Sequence, residues 1–354
     1  MRKRLLVMLS LLSLIVAACG GEATSETTAA GGTAEGGEPA TGPANVIRFT
    51  FAPDPVWDYI NDNAIKEEIE AETGLRIIAQ TTWDEFGIYA GGFADIVSVA
   101  DFEVPTLDAE TGQQSVVFGK YNIDRSIIAV PEADTTSQTL EDLVGKQIAV
   151  WDSVSSTLIW GIIAKQIHDL DLRTGGGDFE LVQVDITNTG PVAAQGDVDA
   201  AIVLPDFAVN ELMTGQLRVL YDGQTSAELY AKEIVGSDAY EGPMINVFLA
   251  RQDWYEEHTE EVKVFLEIWE AGIQAWQANQ AEIIASYPQH FAVETDEQVA
   301  FMQEWLSNHD WFVSTVYLDQ EWIDATLPMF DVMRDNGFMA EDEADPIFDM
   351  PQNS

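Results

Sequence analysis

The sequence predicts an α/β protein of two lobes, each a mixed sheet flanked by helices, with two hinge strands between the lobes and C-terminal helices on the first lobe. Three observations predict it. An order of strand, helix, strand, helix, strand occurs over residues 46–99 and returns over residues 147–204. Both copies close alike, on Gly92-Phe93-Ala94-Asp95-Ile96 and on Gly196-Asp197-Val198-Asp199-Ala200. An isolated apolar strand stands between the copies (126–130, ended by Pro131) and another follows them (245–250), where a chain building two lobes must cross from one to the other. Two copies with different side chains make paired half-sheets, not a solenoid. With 354 residues and 46% apolar residues, the chain can fill two cores.

Taken in order, residues 1–18 open with Arg2, Lys3 and Arg4 and continue as an apolar run shorter than the roughly 20 residues that span a bilayer, which reads as an export signal. Residues 19–44 are rich in Gly, Ala, Thr and Glu and lack the apolar bulk to fold, so a flexible linker is expected. Strand 46–51 leads through a loop with Pro53 and Pro55 to a helix over 56–73, which Gly74 stops. Strand 75–79 follows, then a short helix over 83–89 capped by Thr81 or Thr82, then strand 94–99 after Gly91-Gly92.

Thr139 and Asp142 form a small capping box, closed by Gly145 before strand 147–150. Ser155, Ser156 and Thr157 can cap a helix that runs to Leu170. Beyond the break Gly175-Gly176-Gly177 come strand 179–186, a short helix opened by Pro191, and strand 200–204. Helices are expected over 260–279, 282–287, 296–308 and 321–336; in the first, Val264, Phe265, Ile268, Trp269, Gly272, Ile273 and Trp276 make an apolar stripe that reads as core. This assigns 45–125 and 246–340 to the first lobe, 126–245 to the second, and 341–354 to a frayed acidic tail.

Asp and Glu number 61 against 16 Lys and Arg, a formal charge of −45, which argues against nucleic acid and anionic membrane surfaces as partners. Such an excess suits either a solvated, self-repelling surface or a cationic ligand. No enzyme constellation is present. His168, His258, His290 and His309 are far apart in sequence, and Cys19 is the single cysteine. No G-x-S-x-G elbow, phosphate loop or H-E-x-x-H occurs, and 169–180 starts like a calcium loop but fails at Arg173 and Thr174. The reading is a protein that is not an enzyme and carries no cofactor or metal.

In open α/β sheets, ligands bind beyond the carboxyl ends of the strands. The loops there are 53–57, 81–84 and 100–102 in the first lobe and 151–157, 187–190 and 205–207 in the second. Candidate ligand-binding residues are therefore Asp54, Trp57, Trp83, Asp101, Phe102, Trp151, Asp152, Ser153, Ser155, Ser156, Thr157, Asn188, Thr189 and Asp206. The aromatic rings, with Phe207, offer stacking faces, and the carboxylates accept hydrogen bonds or pair with a cation. Asp95 and Asp199 read as structural, a repeated entry into a strand.

The residues Thr139-Leu140-Glu141-Asp142-Leu143-Val144-Gly145-Lys146, the strand and Ser-rich helix start after them, and Gly196-x-x-Asp199-Ala200 resemble solute-binding proteins of ABC importers, in the nitrate, sulfonate, taurine and thiamine-precursor branch. The resemblance covers roughly Asn45 to Tyr287. Separately, Leu14-Ile15-Val16-Ala17-Ala18-Cys19 resembles the lipobox of bacterial lipoproteins, whose cysteine is lipidated after cleavage. Together these imply a type II periplasmic-binding fold in a monomeric receptor, held outside the cytoplasmic membrane by a lipid on Cys19. They further imply a small organic solute containing nitrogen or sulfur, with permease and ATPase subunits as partners. In that group the helix start matching Ser153 to Thr157 and the loop matching Asp54 to Trp57 touch the ligand. Arg and Lys are absent from the crevice loops named above, so the expected solute is neutral or cationic and nitrogenous, such as a pyrimidine precursor or an amine. Two other readings stay open: an exported enzyme on the same fold, which would need a histidine or cysteine in the crevice, and a sensory or adhesion lipoprotein.

Overall fold

The computed structural model describes residues 45–152, 154–237 and 239–353; the expected export signal, Cys19, the linker and Ser153 lie outside these residues. The chain lays down β1 (Val46–Phe51), α1 (Pro55–Asp62), α2 (Ile65–Thr73), β2 (Arg76–Thr81), α3 (Glu85–Ala90), β3 (Ile96–Val99), α4 (Val104–Thr111) and β4 (Ser115–Ile123). There follow β5 (Ile127–Pro131), β6 (Gln147–Val150), α5 (Ser155–His168), the small hairpin of β7 (Leu172–Arg173) and β8 (Gly176–Gly177), and β9 (Glu180–Gln183). Next come α6 (Thr189–Ala194), β10 (Ala200–Val203), α7 (Val209–Met213), β11 (Leu217–Val219) and α8 (Ser226–Leu229). The last part holds β12 (Met244–Arg251), α9 (Gln252–Glu257), α10 (Thr259–Ser286), α11 (Asp296–Leu306), α12 (Gln320–Thr326), α13 (Pro328–Asp335) and β13 (Ile347–Phe348).

Two mixed sheets result, one in each lobe, in the orders β13-β4-β12-β3-β1-β2 and β11-β5-β10-β6-β9. Set side by side, β2-β1-β3-β12 and β9-β6-β10-β5 are the same arrangement, three parallel strands and then an antiparallel one. In each sheet that antiparallel strand is the one laid down as the chain arrives from the other sheet. The repeated aspartates have one job. The Asp95 N–H donates to the Arg48 carbonyl while its carboxylate accepts the Arg48 N–H at 2.8 Å, and Asp199 does the same with Gln147, its carboxylate accepting at 2.9 Å. Each ties the start of the third strand to the first.

The predicted hinge strands need a correction. β5 pairs only with β10 and β11, and β12 only with β3 and β4, so neither crosses between sheets. The crossings are residues 124–126, between β4 and β5, and 239–243, ahead of β12. A strand hydrogen-bonded on both edges is held in its own sheet, so the crossings fall outside the strands, where the Asp124 N–H donates to the Pro243 carbonyl at 3.0 Å. Three further expectations change. The helix over 56–73 divides at Ala64, whose φ of 58° breaks the helical path. Pro328 begins a separate helix within the expected 321–336. The tail does not fray: β13 pairs in parallel with β4, and the Tyr255 hydroxyl donates to Asp349 at 2.6 Å.

The stripe on α10 buries Phe265, Ile268, Trp269, Ile273 and Trp276 against the first sheet. A Cβ on Gly272 would run into Ile60 and Val56, so glycine sets how closely α10 and α1 approach. The sheet's other face shares a core with the second lobe: Val97, Val99 and Val117 join Ile128, Val130, Ile148 and the α5 residues Ile159, Trp160 and Ile163. Trp322, Phe330 and Met333 of α12 and α13 enter that same core, and α13 reaches α5. Among the described residues no helix is long and apolar enough to cross a membrane.

Candidate functional site

The carboxyl ends of β1, β2 and β3 and of β6, β9 and β10 open on one cavity of about 460 Å³. The first sheet contributes Ala52, the run Trp83 to Phe86, Val99 and Glu103; the second contributes Trp151, Asp152, Val154, Ser155, Asp185, Ile186 and Leu204, with Ile245 and Asn246 from the start of β12. The topology explains the convergence. Both sheets run their parallel strands toward the crevice, and each strand ends in a turn whose side chains have no sheet to pack on. Trp83, two-thirds exposed, meets Phe207 edge-on at 6.3 Å, so a ring from each lobe touches across the mouth.

Of the fourteen residues predicted from sequence, Trp83, Trp151, Asp152 and Ser155 line this cavity. Ser153 lies outside the described residues, and the other nine do not line the cavity, for identifiable reasons. Asp54 is the N-cap of α1: its Oδ1 accepts the amides of Val56 at 2.8 Å and Trp57 at 3.1 Å, and burial pushes its pKa up to about 7. Trp57 turns into the aromatic core and stacks on Trp269 at 5.3 Å. Asp101 is buried beside the start of β12, where Oδ2 accepts the Met244 amide at 3.1 Å, and Phe102 is core. Ser156 donates to Asp124 at 2.9 Å, and Thr157 donates to the Asp152 carbonyl at 3.0 Å. Thr189 is buried, donating to the Ile186 carbonyl at 3.0 Å, while Asn188 is exposed outside the cavity. Asp206 is neutralised by Arg125, which grips it with two bonds of 2.9 Å.

Glu85, Phe86, Glu103 and Asp185 line the cavity and escaped the sequence reading. β9 ends at Gln183, three residues before the expected strand end, which moves the crevice loop back onto Asp185 and Ile186. The loop after β3 reaches one residue further than expected, to Glu103. A glutamate three residues beyond Ala100 is the available signal, because Glu103 Oε2 accepts the Ala100 amide at 3.1 Å. Its Oε1 accepts the Ser155 amide at 2.9 Å, so a carboxylate from the first lobe sits on the amino end of α5 in the second. Ser155 has a φ of 47°, a left-handed value for a non-glycine residue, at this same junction.

Charge in the cavity has one sign. Burial pushes Glu85 up to about 7, reinforced by Glu103 and Asp84, and pushes Asp152 up to about 7, reinforced by Glu103 and Asp124. Glu85 Oε2 and Asp152 Oδ1 are buried with no hydrogen-bond partner. Behind the cavity, Asp124 at the crossing accepts the hydroxyls of Ser126, Ser226 and Ser156, joining the crossing, α8 and α5 at one point.

Asp101 is a test of these buried acids. Its Oδ1 has no partner, and burial, with Asp124 and Glu103 adding to it, lifts the group to about 8. An acid whose pKa is higher folded than unfolded binds its proton better in the fold, so its stabilising effect is complete below about pH 4 and lost as pH rises toward 8. Asp101→Asn is therefore expected to melt near the native chain at pH 4 and to be more stable by at least about 2 kcal/mol at pH 9. Urea titrations at the two pH values check it, and equal shifts at both would overturn it.

The family model described as NMT1/THI5 like matches residues 88–283. The periplasmic aliphatic sulphonate binding protein SsuA from Escherichia coli has a similar fold at 15% identity and a TM-score of 0.64, over 85% of this chain and 90% of that one. The alkanesulfonate-binding SsuA from Xanthomonas axonopodis pv. citri, bound to MOPS, aligns at 15% identity and 0.63, over 84% and 96%. A Candida albicans protein, CA3427, described as having the generic periplasmic binding protein fold, aligns at 12% identity and 0.57, over 83% and 91%. Among curated proteins none matches the chain in sequence.

Proposed function

The chain belongs to the NMT1/THI5-like family, and from that membership we propose that it is the extracytoplasmic solute-binding component of an ABC importer, capturing a small organic solute and delivering it to a permease and ATPase pair. One observation carries the reading: six strand ends, three from each sheet, converge on a single cavity of about 460 Å³, a size suited to a small molecule. The sulfonate-binding names of the two SsuA neighbours support it. In this reading residues 45–125 and 246–340 make one lobe and 126–245 the other. They close by bending at 124–126 and 239–243, with Trp83 and Phe207 meeting at the mouth. The protein acts by binding and not by catalysis, as a monomer, and a lipid on Cys19 keeps it at the outer face of the cytoplasmic membrane.

A thermal-shift screen over amines, sulfonates, pyrimidines and nitrate tests the proposal. A solute at 100 times its Kd is expected to stabilise the fold by about 2.7 kcal/mol, and X-ray scattering with that solute should show a smaller radius of gyration. A panel that moves neither the melting temperature nor the radius would overturn it.

A further inference from the structure

We propose that the solute is an organic monocation, a protonated amine or amidinium on a flat or apolar body, held by Glu85 and Asp152 against the rings of Trp83, Phe86 and Trp151. This rests on the reading of the crevice as a solute site and adds the charge of what enters it.

The amino end of a long helix facing a crevice is where an anion gains most from backbone amides and the helix dipole. In this chain that place on α5 is already taken. Glu103, from the other sheet, accepts the Ser155 amide at 2.9 Å and spends its second oxygen on the Ala100 amide at 3.1 Å. A sulfonate or carboxylate arriving there would meet a carboxylate in its seat.

What the crevice leaves unsatisfied is acceptor, not donor. Glu85, at the start of α3 beyond β2, and Asp152, in the turn after β6, each present a buried carboxylate oxygen without a partner, one from each lobe and both on the same cavity. An ammonium carries three donors and no acceptor, and an amidinium carries donors in a plane; either can bond to both oxygens at once. Asp84 and Asp185 add negative charge to the lining, and no Lys, Arg or His stands among the described residues there. Burial, with neighbouring carboxylates adding to it, raises Glu85 and Asp152 alike to about 7, as expected for buried acids that lack a counter-ion. Among the described residues no three acidic, histidine or cysteine side chains converge closely enough to hold a metal ion. The aromatic rings suit an organic cation, whose charge is attracted to their faces and whose body they cover.

Calorimetry of the full chain at pH 8 with three probes of one shape tests the inference: benzylammonium, benzyl alcohol and benzenesulfonate. Benzylammonium is expected to bind at least about tenfold more tightly than benzyl alcohol, with no binding of benzenesulfonate. Glu85→Gln and Asp152→Asn should each weaken benzylammonium by about tenfold and leave benzyl alcohol unchanged. Melting curves confirm that the variants fold, and if either does not, the ammonium-to-alcohol ratio of the native chain decides alone. Benzenesulfonate binding as tightly as benzylammonium, or ammonium and alcohol binding equally, overturns the cation while leaving a solute receptor in place. Silence from all three also overturns it, and the receptor reading falls with it only if the wider thermal-shift panel is silent too.

Discussion

Arg125→Ala is expected to cost about 3–5 kcal/mol of stability, the effect of leaving a buried carboxylate without its counter-charge. Arg125 lies at the crossing between β4 and β5. Its guanidinium takes both oxygens of Asp206 at 2.9 Å and lies 3.8 Å over the Trp311 ring, so it joins the turn after β10 to the helical end of the chain. Asp206 is 2% exposed, too deep for water to replace the arginine. Arg125→Lys is expected to recover only part of the loss, because an ammonium can neither bond to both oxygens in the planar fork nor stack on indole. The double change Arg125→Met with Asp206→Leu should sit well above Arg125→Ala, since removing both charges removes the desolvation cost along with the attraction. Urea unfolding measures all three, and an Arg125→Ala midpoint within error of the native chain would refute the account. Phe207 follows Asp206 and meets Trp83 across the mouth, so the same change should also weaken solute binding.

Trp269→Ala is expected to cost a further class of energy, about 3–5 kcal/mol, from an unfilled cavity. Trp269 is fully buried on α10 and touches Trp57 at 5.3 Å, Tyr121 at 4.7 Å and Phe248 at 5.0 Å. Those rings belong to α1, β4 and β12, so one side chain fastens the C-terminal helices to the first sheet. Its indole N–H has no hydrogen-bond partner, so Trp269→Phe gives up volume but no bond and should cost less than half as much. A lower urea midpoint at unchanged slope is the expected signature. Should the two variants be equally destabilised, the ring's size is not what matters there.

Much of the fold was legible because it is written locally. Alternating apolar runs and caps placed β1, β6, β10 and the start of α5 within a residue or two, and the matching Asp95 and Asp199 announced the repeat. β4 was not legible. Its run Ser-Val-Val-Phe-Gly-Lys-Tyr-Asn-Ile is broken by Gly119, Lys120 and Asn122, yet all nine residues are buried. Gly119 is required because a Cβ would strike Leu266 and Phe248, and Lys120 is tolerated because Glu241 pairs with it. Those partners are more than a hundred residues away in sequence.

For the site, the sequence by itself determined the place: turns at the ends of parallel strands in two like half-sheets, which follows from element order alone. Only the tertiary structure decided which side chain in each turn faces the cavity. Asp54 and Asp152 are indistinguishable as turn aspartates, yet one is consumed in capping α1 and the other keeps an oxygen free in the cavity. Trp57 and Trp83 are both tryptophans beyond a first-sheet strand, and the ring of Trp269 claims the first and leaves the second exposed. Which way a side chain turns is settled by the partners available to it, and those arrive from parts of the chain that local pattern cannot see.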